Sequence, residues 1–164
     1  MPAGQPNHDP LFKLRPLFDA LSASFKRIYI PGEKVAIDEA IVPWRGRVLF
    51  RVYIKNKPTK WGIKLYELCE STSGYVYNLE VFCRAPGVSN ASGEVVKRLL
   101  EPIANEGRTV YMDNYYMCPT LAEDLLLEGT NSVGTTRANR RGMPEELKPG
   151  PGAQAFTPGM MAYR

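Results

Sequence analysis

Two aspartates sit where strand-forming sequence would not place them by chance. Asp38 lies in the apolar run VAIDEAIV, residues 35–42, and Asp113 lies in TVYMDNYY, residues 109–116. Aspartate is depleted from strands and costly to bury unpaired. Brought together, two such carboxylates offer hard oxygen ligands for a divalent cation, typically Mg²⁺ or Mn²⁺. A pair of metals roughly 3.5–4 Å apart activates an attacking oxygen and stabilises the leaving oxygen of a phosphodiester. Without metal the two acids repel each other and any nearby phosphate. Each aspartate alone has a plainer explanation. Asp38 can sit at an exposed strand end or bond a loop, and Asp113 can open the turn into a following helix. Alternation accounts for Glu39, which is expected to face water while Ile37 and Ala40 help fill a layer.

The elements that must position these acids alternate along the chain. Residues 11–29, LFKLRPLFDALSASFKRIY, read as one amphipathic helix or two, interrupted at Pro16, before a Pro-Gly turn at 31–32. VAIDEAIV is a strand, WGIKLYELCES a second, and YVYNLEVF a third that returns after the turn STSG, residues 71–74. Ser92 is placed to cap a helix over EVVKRLLEPIAN. RTVYMDNYY is a fourth strand, PTLAEDLLLEG a helix between Pro119 and Gly129, and NSVGTTRAN a fifth strand. The order β, ββ hairpin, α, β, α, β predicts an α/β fold of ribonuclease H-like type, with a five-stranded mixed sheet and flanking helices. In it the first strand is central, paired with the second on one side and the fourth on the other. That would set Asp38 beside Asp113.

The charge distribution supports an anionic partner. The net charge is +4 and the isoelectric point about 9.0. Between Pro43 and Lys64 the chain carries Arg45, Arg47, Arg51, Lys55, Lys57, Lys60 and Lys64 with no acid, a third of its 21 Lys and Arg. Trp44, Phe50, Tyr53 and Trp61 are interleaved with them. Cations alternating with aromatics suit a phosphate backbone and its bases, so Arg45, Arg47, Arg51, Lys55, Lys57 and Lys60 are the candidate nucleic-acid contacts. The plainer alternative is a solvated basic hairpin whose aromatics pack inward.

Other chemistries are disfavoured. The single histidine, His8, lies in an N-terminal tail, which argues against a His/Cys zinc site and a His-based nucleophile relay. Cys69, Cys83 and Cys118 form no CxxC pair and read as buried, reduced thiols of an intracellular protein. No run approaches the roughly 18 apolar residues of a membrane span, and the N-terminus lacks the charged flank and apolar core of a signal peptide.

Five segments, in order, resemble the piggyBac transposase superfamily and its domesticated derivatives: IDEAIVPWRGR at 37–47, YIKNKPTKWGIKLYELCES at 53–71, GEVVKRLLEP at 93–102, YMDNYYMCPTLAEDLLLEGT at 111–130 and VGTTRANRRGMPEELK at 133–148. The resemblance implies a DDE-type, ribonuclease H-like core with three metal-binding aspartates, the first matching Asp38 and the second Asp113, both catalytic and metal-binding. It implies Mg²⁺ or Mn²⁺ as cofactor, DNA as partner, and a nuclear location, and it admits a homodimer of a full-length parent. The family's chemistry is strand nicking, hairpin formation at transposon ends and joining at TTAA targets.

The chain also departs from the family. The third aspartate is expected after an insertion that begins near residue 149, and neither Asp124, on a solvated helix face, nor Glu145 and Glu146 matches it. Met117 and Cys118 stand where Thr-Ser is usual. The family's cysteine-rich zinc domain and most of its N-terminal DNA-binding region have no counterpart. The resulting expectation is a helical lead-in over 1–33, a partial transposase core over 34–148 and a Pro/Gly-rich tail over 149–164. Such a chain would be incomplete for catalysis alone, or would serve as a non-catalytic DNA-binding or protein-interaction module.

Overall fold

The computed structural model describes residues 9–55 and 57–148, Glu146 by its backbone alone. His8 and the Pro-Gly tail lie outside the described residues. Among the described residues three α-helices, α1 (Arg15–Ile28), α2 (Ser92–Leu100) and α3 (Pro119–Leu127), accompany one sheet of six strands: β1 (Lys34–Pro43), β2 (Arg51–Tyr53), β3 (Trp61–Glu70), β4 (Val76–Val81), β5 (Thr109–Met112) and β6 (Asn131–Gly134). The fold is the mixed, ribonuclease H-like α/β sheet that the pattern predicts, with one strand more than the five expected. The extra strand is β2, three residues from the basic stretch that pair with the first three residues of β3.

β1 is central, antiparallel to β3 on one side and parallel to β5 on the other, and β6 extends the sheet in parallel beyond β5. The far edge of β3 is shared, its start by β2 and its remainder by β4. Close approach at both its edges explains Gly62, which faces Pro43 of β1 and Val52 of β2. A methyl group there would overlap the Val42 carbonyl oxygen and the Ile41 side chain.

Period-two alternation divides the core between two faces. Val35 and Ile37 of β1, Tyr66 and Leu68 of β3, and Val110 and Met112 of β5 pack with Val95, Val96, Leu99 and Leu100 of α2 and Leu121 and Leu125 of α3. On the opposite face Ile63, Leu65 and Val81 pack with Leu11, Phe50 and Cys83, flanked by Ala40, Leu14 and Phe18. The expectation for Glu39 is therefore corrected. Ile37 and Ala40 do fill layers, but different ones, and Glu39 lies on the Ile37 face, half-buried at its rim rather than facing water.

Local chemistry explains the helix ends, with two corrections. Pro16 lies in the first turn of α1, where its missing N–H costs nothing, so it starts a single helix rather than interrupting one. Ser92 is the first residue of α2, not its cap; the capping residue is Ala91, and no side chain caps it. Pro119 opens α3 as expected, and Gly129 ends it with φ of +64°, in the left-handed region that favours glycine. The β3–β4 turn is held by Glu70, whose carboxylate accepts hydrogen bonds from the Thr72 N–H (3.0 Å), the Ser73 N–H (2.6 Å) and the Ser73 hydroxyl (2.6 Å).

Candidate active site and nucleic-acid interface

Asp38 and Asp113 meet at one edge because β1 and β5 run parallel in register. The last paired residues are Ile37 and Met112, and each aspartate is the next residue of its chain. Neighbouring strands lie about 4.8 Å apart, so the two backbones arrive side by side at the C-terminal end of the parallel pair. Asp38 sits in the middle of the ten-residue β1, not at its end, and its side chain is nevertheless exposed. Asp113 is exposed immediately beyond β5.

Both carboxylates are oriented locally through one oxygen. Oδ1 of Asp38 accepts the Glu39 N–H at 2.7 Å, and Oδ1 of Asp113 accepts the Tyr115 N–H at 2.9 Å. The turn-opening role foreseen for Asp113 is thus real, and it coexists with the paired position. These local bonds leave Oδ2 of each group for a ligand. The donor chemistry fits a hard divalent cation, but among the described residues no group of three or more His, Cys, Asp or Glu side chains could enclose one. Asp124 lies elsewhere, in an ion pair with Lys97 at 2.8 Å, which agrees with its reading as a helix-face residue.

Several neighbours of the pair were invisible to motif reading. Glu67 is directly opposite Asp38 across β1 and β3, and burial followed by the Asp38 charge pushes its carboxyl up. Lys64 sets its ammonium over the rings of Tyr66 (4.8 Å) and Tyr115 (4.9 Å). Burial lowers its pKa, while the charges of Glu39, Asp38 and Asp113 oppose that shift. Glu39 accepts a hydrogen bond from the Tyr116 hydroxyl at 3.4 Å and pairs with Lys57 at 3.7 Å. The turn that carries Asp113 is clasped from outside. Arg140 donates to the carbonyls of Asn114 (2.8 Å) and Tyr115 (2.7 Å), and Arg137 donates to the Asn114 side chain at 3.0 Å. At the other end of the parallel pair, buried Arg108 bonds the carbonyls of Pro31 (2.9 Å) and Gly32 (3.0 Å), tying the start of β5 to the segment before β1.

The basic stretch forms the far end of the sheet. Arg45, Arg47, Arg51, Lys55 and Lys60 are exposed, while Lys57 is half-buried in its pair with Glu39. Arg51 also stacks on Trp61, 4.6 Å from the ring centroid. Of the interleaved aromatics only Phe50 packs inward; Trp44, Tyr53 and Trp61 remain exposed. The cysteines are free thiols as expected, but only Cys83 is buried. Cys69 is half-buried, and burial with the Glu67 and Asp38 charges pushes its thiol up to about 11.

A mixed sheet of this topology, with an acid on each of two chains immediately past their parallel pairing, defines a ribonuclease H-like core of the transposase type. The chain belongs to the DDE-type transposase family described as Transposase IS4, whose model matches residues 2–164, and it is of the piggyBac type. It is similar to a chain of the cryo-EM structure of the piggyBac transposase synaptic complex with hairpin DNA, at 34% sequence identity and a TM-score of 0.79. The match covers 87% of this chain and 31% of that one, so the chain spans less than a third of the transposase it matches. No helix among the described residues is long and apolar enough to cross a membrane.

Proposed function

We propose that this chain is a transposase-derived DNA-binding domain whose edge pair, Asp38 and Asp113, holds a single Mg²⁺ or Mn²⁺ without completing the strand-transfer reaction alone. The observation that carries this reading is the parallel register of Ile37 with Met112, which makes the two aspartates neighbours. A bound cation would supply Lewis acidity to a phosphodiester oxygen. The residues of the chain would do the rest. Oδ2 of each aspartate would ligate, the Glu39 and Tyr115 N–H groups would fix the carboxylate orientation, and the exposed Arg45, Arg47, Arg51, Lys55 and Lys60, with Lys57 beside them, would engage backbone phosphates. The similar transposase chain is part of a synaptic complex with hairpin DNA, which supports DNA as the partner. A nuclear location and assembly as a homodimer within a longer protein belong to the same reading.

A second reading, a non-catalytic DNA-binding or protein-interaction module, is favoured because among the described residues no group of three or more His, Cys, Asp or Glu side chains is placed to hold a metal ion, Glu67 included. Mn²⁺ titration followed by electron paramagnetic resonance, with a cleavage assay on transposon-end duplex, tests both readings. The proposed domain binds Mn²⁺ weakly, loses binding in Asp38→Ala and in Asp113→Ala, and cleaves nothing, because loss of one of two metal sites removes most of the rate. Mn²⁺ binding unchanged in both variants would leave the non-catalytic module. Cleavage by the wild type, lost in both variants, would show that two aspartates suffice.

A further inference from the structure

We propose that the cleft between the end of β1 and the β2–β3 hairpin is a binding site for an unpaired nucleobase, with Trp44 as its stacking platform. The cleft encloses about 750 Å³, ample for one nucleotide, and is lined by Pro43, Trp44, Arg45, Arg51, Lys60 and Trp61 among others. Both tryptophans of the chain lie here, 43% and 49% exposed, whereas tryptophan is highly buried on average. The cleft wall is built to hold them. The Trp44 N–H donates to the Trp61 carbonyl at 3.4 Å, joining the two residues across β1 and β3. Trp61 is then fixed between neighbours, with the Arg51 guanidinium 4.6 Å from its ring centroid and the Tyr53 ring 4.8 Å away. Trp44 has no such stacking partner among the described residues. Its indole instead lies against the Cα of Gly46, where a methyl group would come within 2.7 Å of Nε1. Only glycine leaves the ring that position.

Chemistry selects the occupant. The lining carries three cations and no acid, which disfavours an apolar peptide and suits a group that pairs a flat π-surface with a negative charge. A nucleotide has both: the base can stack on Trp44 while its phosphates meet Arg45, Arg51 and Lys60. Bases inside a duplex have their faces covered by stacking, so the cleft would admit an unpaired or extruded base and pass over an intact helix. The site extends the DNA-binding reading and depends on it.

Tryptophan fluorescence, excited selectively over that of the tyrosines, reports on this cleft alone, because both tryptophans lie in it. A short oligothymidylate should quench it, whereas a blunt duplex, its binding followed by anisotropy, should quench little. Trp44→Ala should weaken oligothymidylate binding about 5- to 100-fold while duplex affinity changes by less than ~2-fold, and Trp44→Phe, which keeps a ring, should restore most of the difference. Equal weakening on both DNAs, or no weakening on either, overturns the base site while leaving DNA binding intact. Failure of the wild type to bind either DNA at low salt removes the base site together with the reading beneath it.

Discussion

Asp38 and Glu39 are adjacent acids with opposite fates, because successive strand residues point to opposite faces. Glu39 is drawn to the rim of the α2/α3 core, where Tyr116 and Lys57 satisfy it, and Asp38 is left exposed for a ligand. Glu70 shows what a purely structural acid looks like in the same sheet. Its carboxylate is spent on the β3–β4 turn, and the Ser73 hydroxyl and N–H, then those of Thr72, hold its pKa below the usual range. A folded pKa below the unfolded one stabilises the fold above the unfolded value, about 4.3, and that contribution is lost as pH falls through the folded value. Glu70→Gln is therefore expected to lower stability at pH 7 and to flatten the acid limb of the stability curve below about pH 4.3. Urea midpoints from pH 3 to pH 7 check this, and an acid limb parallel to that of the wild type would contradict it.

At the scale of elements, the site depends on where β5 stops. Strand pairing ends at Met112, the turn through residues 114–116 begins, and α3 follows from Pro119. Cys118 is the N-cap of α3 in extended conformation, and its side chain caps nothing. A hydroxyl at this position would accept one of the first-turn N–H groups that lack a partner within the helix. Cys118→Ser should therefore raise stability by about 0.5–2 kcal/mol, read as a higher urea midpoint at unchanged slope. No gain would mean that the first turn of α3 already has its donors satisfied. Met117, the other departure from the family pattern, is buried against the core and has no vacant polar role.

At the scale of the whole molecule, the aspartate pair and the exposed cations of the basic stretch occupy different parts of one sheet, with Lys57 and Lys64 between them. The aspartate edge lies at the C-terminal end of the β1–β5 pair, and the basic stretch lies beyond it, where β1 ends and β2 meets β3. A DNA backbone following the cations would be bound mainly by counterion release. Replacing Arg45, Arg47 and Lys60 together by Gln should weaken duplex binding and reduce the steepness of log K against log salt by about 3, at roughly 0.9 per phosphate contact. Anisotropy titrations at several salt concentrations measure both quantities. An unchanged slope would place these side chains off the DNA path.

The sequence by itself determined the order of elements and the central place of β1, because apolar periodicity and turn residues are local signals. It also gave the pairing of Asp38 with Asp113 as an expectation, since a helical crossover between strands of one sheet returns the chain parallel to β1. What only the tertiary structure decided depends on contacts between distant segments. The sixth strand exists because β3 is long enough to share one edge between β2 and β4. The face of Glu39 was set by which alternate residues meet α2 and α3, a parity that a run with apolar residues on both faces does not reveal. Arg137 and Arg140 clasp the Asp113 turn, and Lys64 stands over Tyr115, from positions whose separation in sequence carries no signal of proximity. The cleft between Trp44 and Trp61 is the same case: seventeen residues separate the two rings in the chain, and only the antiparallel register of β1 with β3 brings them to one wall.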